Sequence, residues 1–570
     1  MFNTLPTTAH DFMEWPWSRI APYYDELAQR PLAEDNVAEW LGDWSRLARL
    51  MNERFARLNV ATTVDTADET AERRYNDFLE NIFPAAEAAE QKLKEKLLVT
   101  GLEPDGMAVP LRKMRADADL FAEANLPLLA EERKLGNAYN KIIGAQTVEW
   151  LGEEKTLTQL KPIFQTPDRE VRERIWRLSS ERQLADRPAI NDLWVQLAQL
   201  RQQLAANAGF ADYRGYRWQQ LRRFDYTPAD SRVFREAIEQ VVVPAAGRVY
   251  QRLRRQLGVD RLRPWDVQAD FFPLSLPALK PFDDVAELDE KAAAIFHRVD
   301  PELGAYFDTM RRENLLDLPN RPGKAPGGYC TYFDAAQRPF IFMNAVGTAG
   351  DVKTMLHEAG HAFHSLEAGR LPYVQQRHPG AEFAEVASMA MELLAAPYLA
   401  AGEGGYYADP ADAARHRSDH LYNIITFWPY MAVVDAFQHW AYQDPEAAAN
   451  PDNCDACWAE LWQRFIPAVD WSGLEAAMMT GWQRKLHIFR FPFYYVEYGM
   501  AQVGAIQVWR NALRDQAAAV ARYRQALALG GTQTLPQLYQ AAGGRFTFDA
   551  PTMQAAVDLL EETIADLETG

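Results

Sequence analysis

Three residues at fixed spacing could do chemistry: His357, Glu358 and His361, within Thr354-Met355-Leu356-His357-Glu358-Ala359-Gly360-His361-Ala362-Phe363-His364. On an α-helix, residues four apart are offset by only about 40° around the axis, so the two imidazoles project side by side and can share one Zn²⁺. Glu358 falls on the adjacent edge, placed to reach a water on the metal rather than the metal itself. Apolar Met355, Leu356, Ala359 and Phe363 predict that this helix is buried. Gly360 costs about 1 kcal/mol against alanine in a helix interior, and its missing Cβ lets another element approach the metal closely. The competing reading is a core helix whose histidines are merely hydrogen-bonded.

Two histidines leave zinc short of ligands, because a catalytic zinc keeps three protein ligands and one open position. The run Glu382-Phe383-Ala384-Glu385-Val386-Ala387-Ser388-Met389-Ala390-Met391-Glu392 offers three carboxylates in an apolar helical stretch. A carboxylate there is costly unless paired or metal-bound. Glu385 is the expected third ligand. Glu392, seven residues on and on the same face, is the expected acceptor that orients a ligand histidine. For each glutamate singly, an exposed helix position is the alternative. Further on, Leu486–Gly499 is rich in hydrogen-bond donors, and Tyr495 and Tyr498 share a face if helix resumes after Pro492. Aromatic clusters of this kind are more often core than catalytic.

The HEAGHAFH string, the EVASMAMELL string starting 24 residues after the second histidine, and the FPFYYVEY segment together resemble the thimet oligopeptidase/oligoendopeptidase F family of zinc metallopeptidases. The bacterial oligoendopeptidase branch, which also shows a GKAPGGYC-like loop before the metal helix, is the nearer match. The resemblance is strong over about 317–504 and vaguer across the helical N-terminal half. It implies one zinc per chain on His357, His361 and Glu385, with Glu358 as catalytic base. It further implies that His487, Tyr498 and Tyr495 bind substrate and steady the oxyanion, with Tyr494 at the substrate. The histidine-to-tyrosine spacing is one residue shorter than in the thimet branch, so the roles of the single tyrosines stay open. The implied fold is mainly α, with two helical halves flanking a deep channel that admits short unstructured peptides.

The elements that must position these residues are mostly helices. Alanine, leucine, glutamate and lysine at three- and four-residue steps predict helices over 77–98, 169–184, 189–206, 230–257 and 505–529, with Gly209, Gly258 and Gly530 as stops. The exception is a segment over about 318–350. A Pro/Gly-crowded loop leads into Tyr329–Phe333 and Pro339–Met343, two short aromatic and β-branched runs separated by DAAQR, which predicts a β-hairpin. Its edge could hold an extended peptide through backbone hydrogen bonds, with Gly327, Gly328 and Tyr329 as substrate contacts. A hairpin that only packs against helices is the equal alternative. The helix pattern breaks at Asn207–Phe210, which predicts an N-terminal helical domain over 1–205 and a catalytic domain over 206–570.

Composition bounds the rest. A formal net charge of -19 argues against nucleic acid and acidic membrane as partners, and nothing positive follows from it. The N-terminus lacks the pattern of a signal peptide, and no window approaches 18 uncharged apolar residues, so a cytoplasmic location is expected. Three cysteines fit a reducing compartment, and the lone Cys454-Asp455-Ala456-Cys457 carries no expectation of redox or metal chemistry. His364 is read as packing or lining substrate, and His416, His420 and His439 as surface or core histidines. The expected activity is endoproteolysis of short peptides, with the number of copies left open. The alternatives are a helical zinc carboxypeptidase and, in another class, a catalytically silent peptide-binding protein.

Overall fold

A computed structural model describes residues 1–157, 159–267, 278–321, 324–325 and 327–569. The expected loop before the hairpin is thus described only in part, since positions 322, 323 and 326 lie outside. The fold is mainly helical, with one two-stranded and one three-stranded sheet among the described residues. No described helix is long and apolar enough to cross a membrane. Two compact units emerge, each assembled from three stretches of chain. The first is Met1–Asp119, Lys280–Pro410 and Gly504–Phe546; the second is Leu120–Leu279, Ala411–Val503 and Thr547–Gly570. Position 205/206 lies inside the second unit, where the helix Arg187–Asn207 ends and the next begins at Tyr213.

Several predicted helices differ at their breaks. The stretch over 77–98 is two helices, Glu69–Asn81 and Phe83–Thr100, parted at Ile82. Pro84 has no N–H to donate and its ring displaces the carbonyl one turn back, so the helix must restart there. The stretch over 230–257 runs on through a π turn at Ile238–Val242 just before Pro244, which absorbs the same defect without a stop. The stretch over 505–529 is likewise two helices, Tyr495–Ala512 and Gln516–Ala528, the second capped by the Asp515 carboxylate on the Ala518 N–H. The glycine stops hold: Gly209, Gly258 and Gly530 all take positive φ.

In the first unit, Trp40, Trp44, Leu47, Leu93 and Leu97 build the core of an N-terminal helical bundle. The predicted hairpin is present, Tyr329–Phe333 pairing antiparallel with Arg338–Ala345. A third strand, Leu316–Pro319, pairs parallel on the other side, so Arg338–Ala345 is central and Tyr329–Phe333 forms an edge. Ile341, Phe342 and Met343 are buried, as befits a strand covered on both faces. The helix Ala349–Ala368 follows. Thr348 caps it, its hydroxyl accepting from the Asp351 N–H while Asp351 accepts from the Thr348 N–H. This helix packs against the sheet and against the helix Ala381–Ala395. In the second unit the core is aromatic, Trp194, Trp428, Trp458 and Trp482 being fully buried.

Candidate metal centre

The packing of those two helices brings His357, His361 and Glu385 together. Gly360 makes the approach possible: a Cβ there would sit 2.6 Å from Ser388 Cα and 2.7 Å from the Ala387 carbonyl oxygen. The imidazoles stand 5.0 Å apart between centroids with their planes at 84°. Glu385 Oε2 is 3.5 Å from His357 Nε2 and 3.6 Å from His361 Nε2. Bonds of about 2.0–2.2 Å in a tetrahedral zinc site put neighbouring ligand atoms about 3.3–3.6 Å apart, so the two separations from Glu385 and the chemical type of the three donors fit that ion.

Neighbouring groups hold the donors in place. Glu392 Oε1 lies 2.6 Å from His357 Nδ1, which fixes that nitrogen as the protonated one and leaves Nε2 as donor. The Ser388 hydroxyl donates to Glu385 Oε2 at 3.1 Å. Lys353 Nζ is 4.0 Å from Glu392 Oε2. Burial pushes His361 down to about 4. At His357 burial also pushes down, yet the bonds to Glu385 and Glu392 outweigh it and carry the imidazole up to about 10. The Glu385 and Glu392 carboxylates thus favour positive charge at His357.

Glu358 is buried beside the group. Burial, opposed by His357 and reinforced by the Glu385 and Glu392 carboxylates, raises it to about 7. The backbone N–H of Cys330, on the edge strand, donates to it. Gly328 adjoins the same carboxylate, since a Cβ there would lie 3.8 Å from Glu358 Oε1 and 3.2 Å from the Thr354 methyl. Gly327 takes φ +99° with open space around it, and its carbonyl accepts from Asn344. The Tyr329 ring stacks on Phe342 at 4.8 Å, and its hydroxyl meets Thr63 at 2.6 Å.

His487, Tyr494, Tyr495 and Tyr498 gather separately, in the second unit. The His487 ring lies 4.9 Å from Tyr495, 5.8 Å from Tyr498 and 6.2 Å from Tyr494. Helix resumes at Tyr495 after Pro492, so Tyr495 and Tyr498 share a face with rings 5.7 Å apart. Sequence reasoning passed over Lys485, whose ammonium sits 3.7 Å over the Tyr495 ring and which burial depresses to about 7. It also missed Ser388 and the Cys330 amide. A lone hydroxyl in an apolar run is a faint signal for the first, and a backbone amide leaves none.

The discounted residues are packing groups. His364 is buried against Phe383 and lowered by burial to about 3. Cys454 and Cys457 are free thiols, Cys454 donating to the Ala448 carbonyl.

The model of peptidase family M3 matches residues 163–558, and the chain belongs to that family. It is 29% identical over 157 residues to an oligoendopeptidase F homolog of Mycoplasma pneumoniae, and 31% identical over 133 residues to the group B oligopeptidase PepB of Streptococcus agalactiae. Those stretches cover 26% and 22% of this chain, and only 24% and 20% of the two relatives. Likeness to solved structures is far more extensive. PZ peptidase A with an inhibitor superposes with a TM-score of 0.89 at 26% identity, covering 97% of this chain and 99% of that one. A solved oligoendopeptidase F gives 0.89 at 27%, covering 96% of each.

Proposed function

We propose that this protein is a zinc-dependent endopeptidase of short, unstructured peptides. The observation that carries the reading is the convergence of His357 Nε2, His361 Nε2 and Glu385 Oε2, with the raised Glu358 carboxyl beside them. Membership of a peptidase family and the oligopeptidase names of its relatives support peptides as substrate. His357, His361 and Glu385 would hold a zinc ion, which when bound would supply Lewis acidity and activate water near neutral pH.

The rest is done by side chains and backbone. Glu358 takes the proton of the attacking water and delivers it to the leaving amine, a task suited to a carboxyl held near neutrality. Glu392 keeps His357 in the donating tautomer. His487, Tyr495 and Tyr498 serve as donors to the oxyanion, and Gly327, Gly328, Tyr329 and Tyr494 contact the peptide, whose backbone can pair with the edge strand Tyr329–Phe333. Three free cysteines suit a reducing cytoplasm.

The test uses a quenched peptide blocked at both termini, assayed with and without chelator, beside metal analysis of the wild type and Glu358→Gln. The wild type should cut inside the blocked peptide and stop when zinc is removed. Glu358→Gln should hold zinc at full stoichiometry and lose about 10²–10⁴-fold in kcat. Cutting only when the C-terminus is free would replace the reading with a carboxypeptidase. An active, zinc-loaded Glu358→Gln would refute Glu358 as base.

A further inference from the structure

In the second unit, His487 stands on one side of a break in helix, Tyr495 and Tyr498 stand on the other, and Tyr494 ends the turn between them. Their mutual geometry is therefore set by the turn between, Phe491–Tyr494. Pro492 has no N–H to continue a helix. Phe493 takes φ +63°, a left-handed conformation that a residue with a Cβ adopts rarely, and it is fully buried against Trp218, His439 and Tyr442.

The break strands backbone carbonyls inside the protein, and buried carbonyls need donors. Three arginines from a distant part of the chain supply them. Arg201, fully buried, donates to the carbonyls of Ile488 at 3.0 Å and Phe489 at 2.5 Å. Arg217 Nε donates to Pro492 O at 3.1 Å. Arg223 Nη2 donates to Phe493 O at 2.5 Å and to Glu497 at 2.6 Å, with its guanidinium 4.3 Å over Trp218. On the opposite side of the same residue, the Phe493 N–H donates to Gln438 Oε1 at 2.7 Å.

We propose that Arg201, Arg217, Arg223 and Gln438 form a backbone clamp that pre-sets the His487–Tyr498 donor group, so that these four are positioning residues for the reaction. The inference rests on the proposed peptidase reading. A single arginine–carbonyl bond is an ordinary way to satisfy a buried oxygen. Here four carbonyls and one amide, all between the histidine and the tyrosines, are held by side chains from outside the segment. The left-handed residue is gripped at both its N–H and its C=O. Such a turn cannot relax one donor without moving the other, and rigid donors aimed before substrate arrives lower the barrier without improving ground-state binding.

The half-buried Arg217 is the variant of choice, because water can reach Pro492 O when the guanidinium is gone; Gln438→Met is the second. Zinc-loaded wild type, Arg217→Met, Arg217→Lys and Gln438→Met are compared in kcat, KM, zinc content, melting temperature and amide exchange of peptides spanning 486–499. Arg217→Met should lose about 10–100-fold in kcat with KM changed less than about threefold, the size expected for displacement of a catalytic group by about 1 Å. Zinc content and melting temperature should hold, exchange over 486–499 should rise, and Arg217→Lys, which keeps a donor, should recover most of the rate. The clamp is overturned if both Arg217→Met and Gln438→Met keep kcat within twofold, if kcat falls only in step with zinc or folded fraction, or if exchange over 486–499 is unchanged. A wild type that holds zinc but cuts no peptide would instead sink the peptidase reading, while the exchange arm still decides the clamp.

Discussion

Gly360→Ala sets two effects of opposite sign against each other. Helix propensity alone favours alanine by about 1 kcal/mol. The added Cβ, however, would lie 2.6 Å from Ser388 Cα and 2.7 Å from Ala387 O, both backbone atoms of the neighbouring helix. Carbon–carbon contact relaxes at about 3.5–4.0 Å, so the helices must part by about 1 Å locally. Overpacking of this order costs about 1–3 kcal/mol, which cancels or exceeds the propensity gain. The functional consequence is larger. Glu385 lies on the displaced helix within a turn of the contact, so its separations from the two imidazoles, now 3.5 and 3.6 Å, open toward about 4.5 Å. A tetrahedral zinc needs about 3.3–3.6 Å between donors. The affinity for zinc should fall about 10–100-fold, the range seen when ligands lose their orientation. Competition with a chromophoric chelator measures that affinity, and melting with and without zinc measures the packing cost. A variant that binds zinc within twofold of wild type and melts at the same or a higher temperature would refute the claim that Gly360 is there for helix approach.

Two carboxylates of the same helix should separate in their effects. Glu385→Ala removes a donor and should leave the purified protein without stoichiometric zinc, whereas Glu392→Gln keeps an oxygen near His357 Nδ1 and should weaken zinc only about tenfold; equal losses would dissolve the distinction. Glu90, in the N-terminal bundle, accepts from the Tyr24 hydroxyl and the Trp44 indole, and burial lifts it from 4.5 to about 7. A folded value above the unfolded one means that its stabilising contribution is complete below about pH 4.5 and is lost as pH rises through about 7. Discounted for partial exposure, that is about 1–3 kcal/mol, so Glu90→Gln should gain in urea midpoint over wild type at pH 8 and not at pH 5. Identical pH profiles for the two proteins would rule it out.

Much of the candidate metal centre's geometry was legible because its signals are local. The four-residue step between His357 and His361 fixes their shared face on any helix. Three acids in the apolar run Glu382–Glu392 announce that carboxylates are being buried for a reason, and Gly360 in a helix interior announces a close neighbour. The hairpin was legible for the same cause, two β-prone runs with a polar turn between them. Breaks were read less well, since whether Pro84 or Pro244 stops a helix or is absorbed by a π turn depends on what packs around it. The strand Leu316–Pro319 was missed because four residues carry too little pattern without the central strand they pair with.

What the sequence determined by itself was therefore the helical class, the glycine stops at Gly209, Gly258 and Gly530, and the faces shared by His357 with His361 and by Glu385 with Glu392. What only the tertiary structure decided was everything that joins distant stretches. Two units each drawn from three separate segments cannot be read as a linear boundary, because a chain that crosses from one unit to another leaves no composition mark where it crosses. The amide of Cys330 reaching Glu358 and the arginines holding the carbonyls around Phe493 are backbone or long-range contacts. Periodicity reports which face a side chain occupies, and it is silent on which backbone atom a distant side chain will meet.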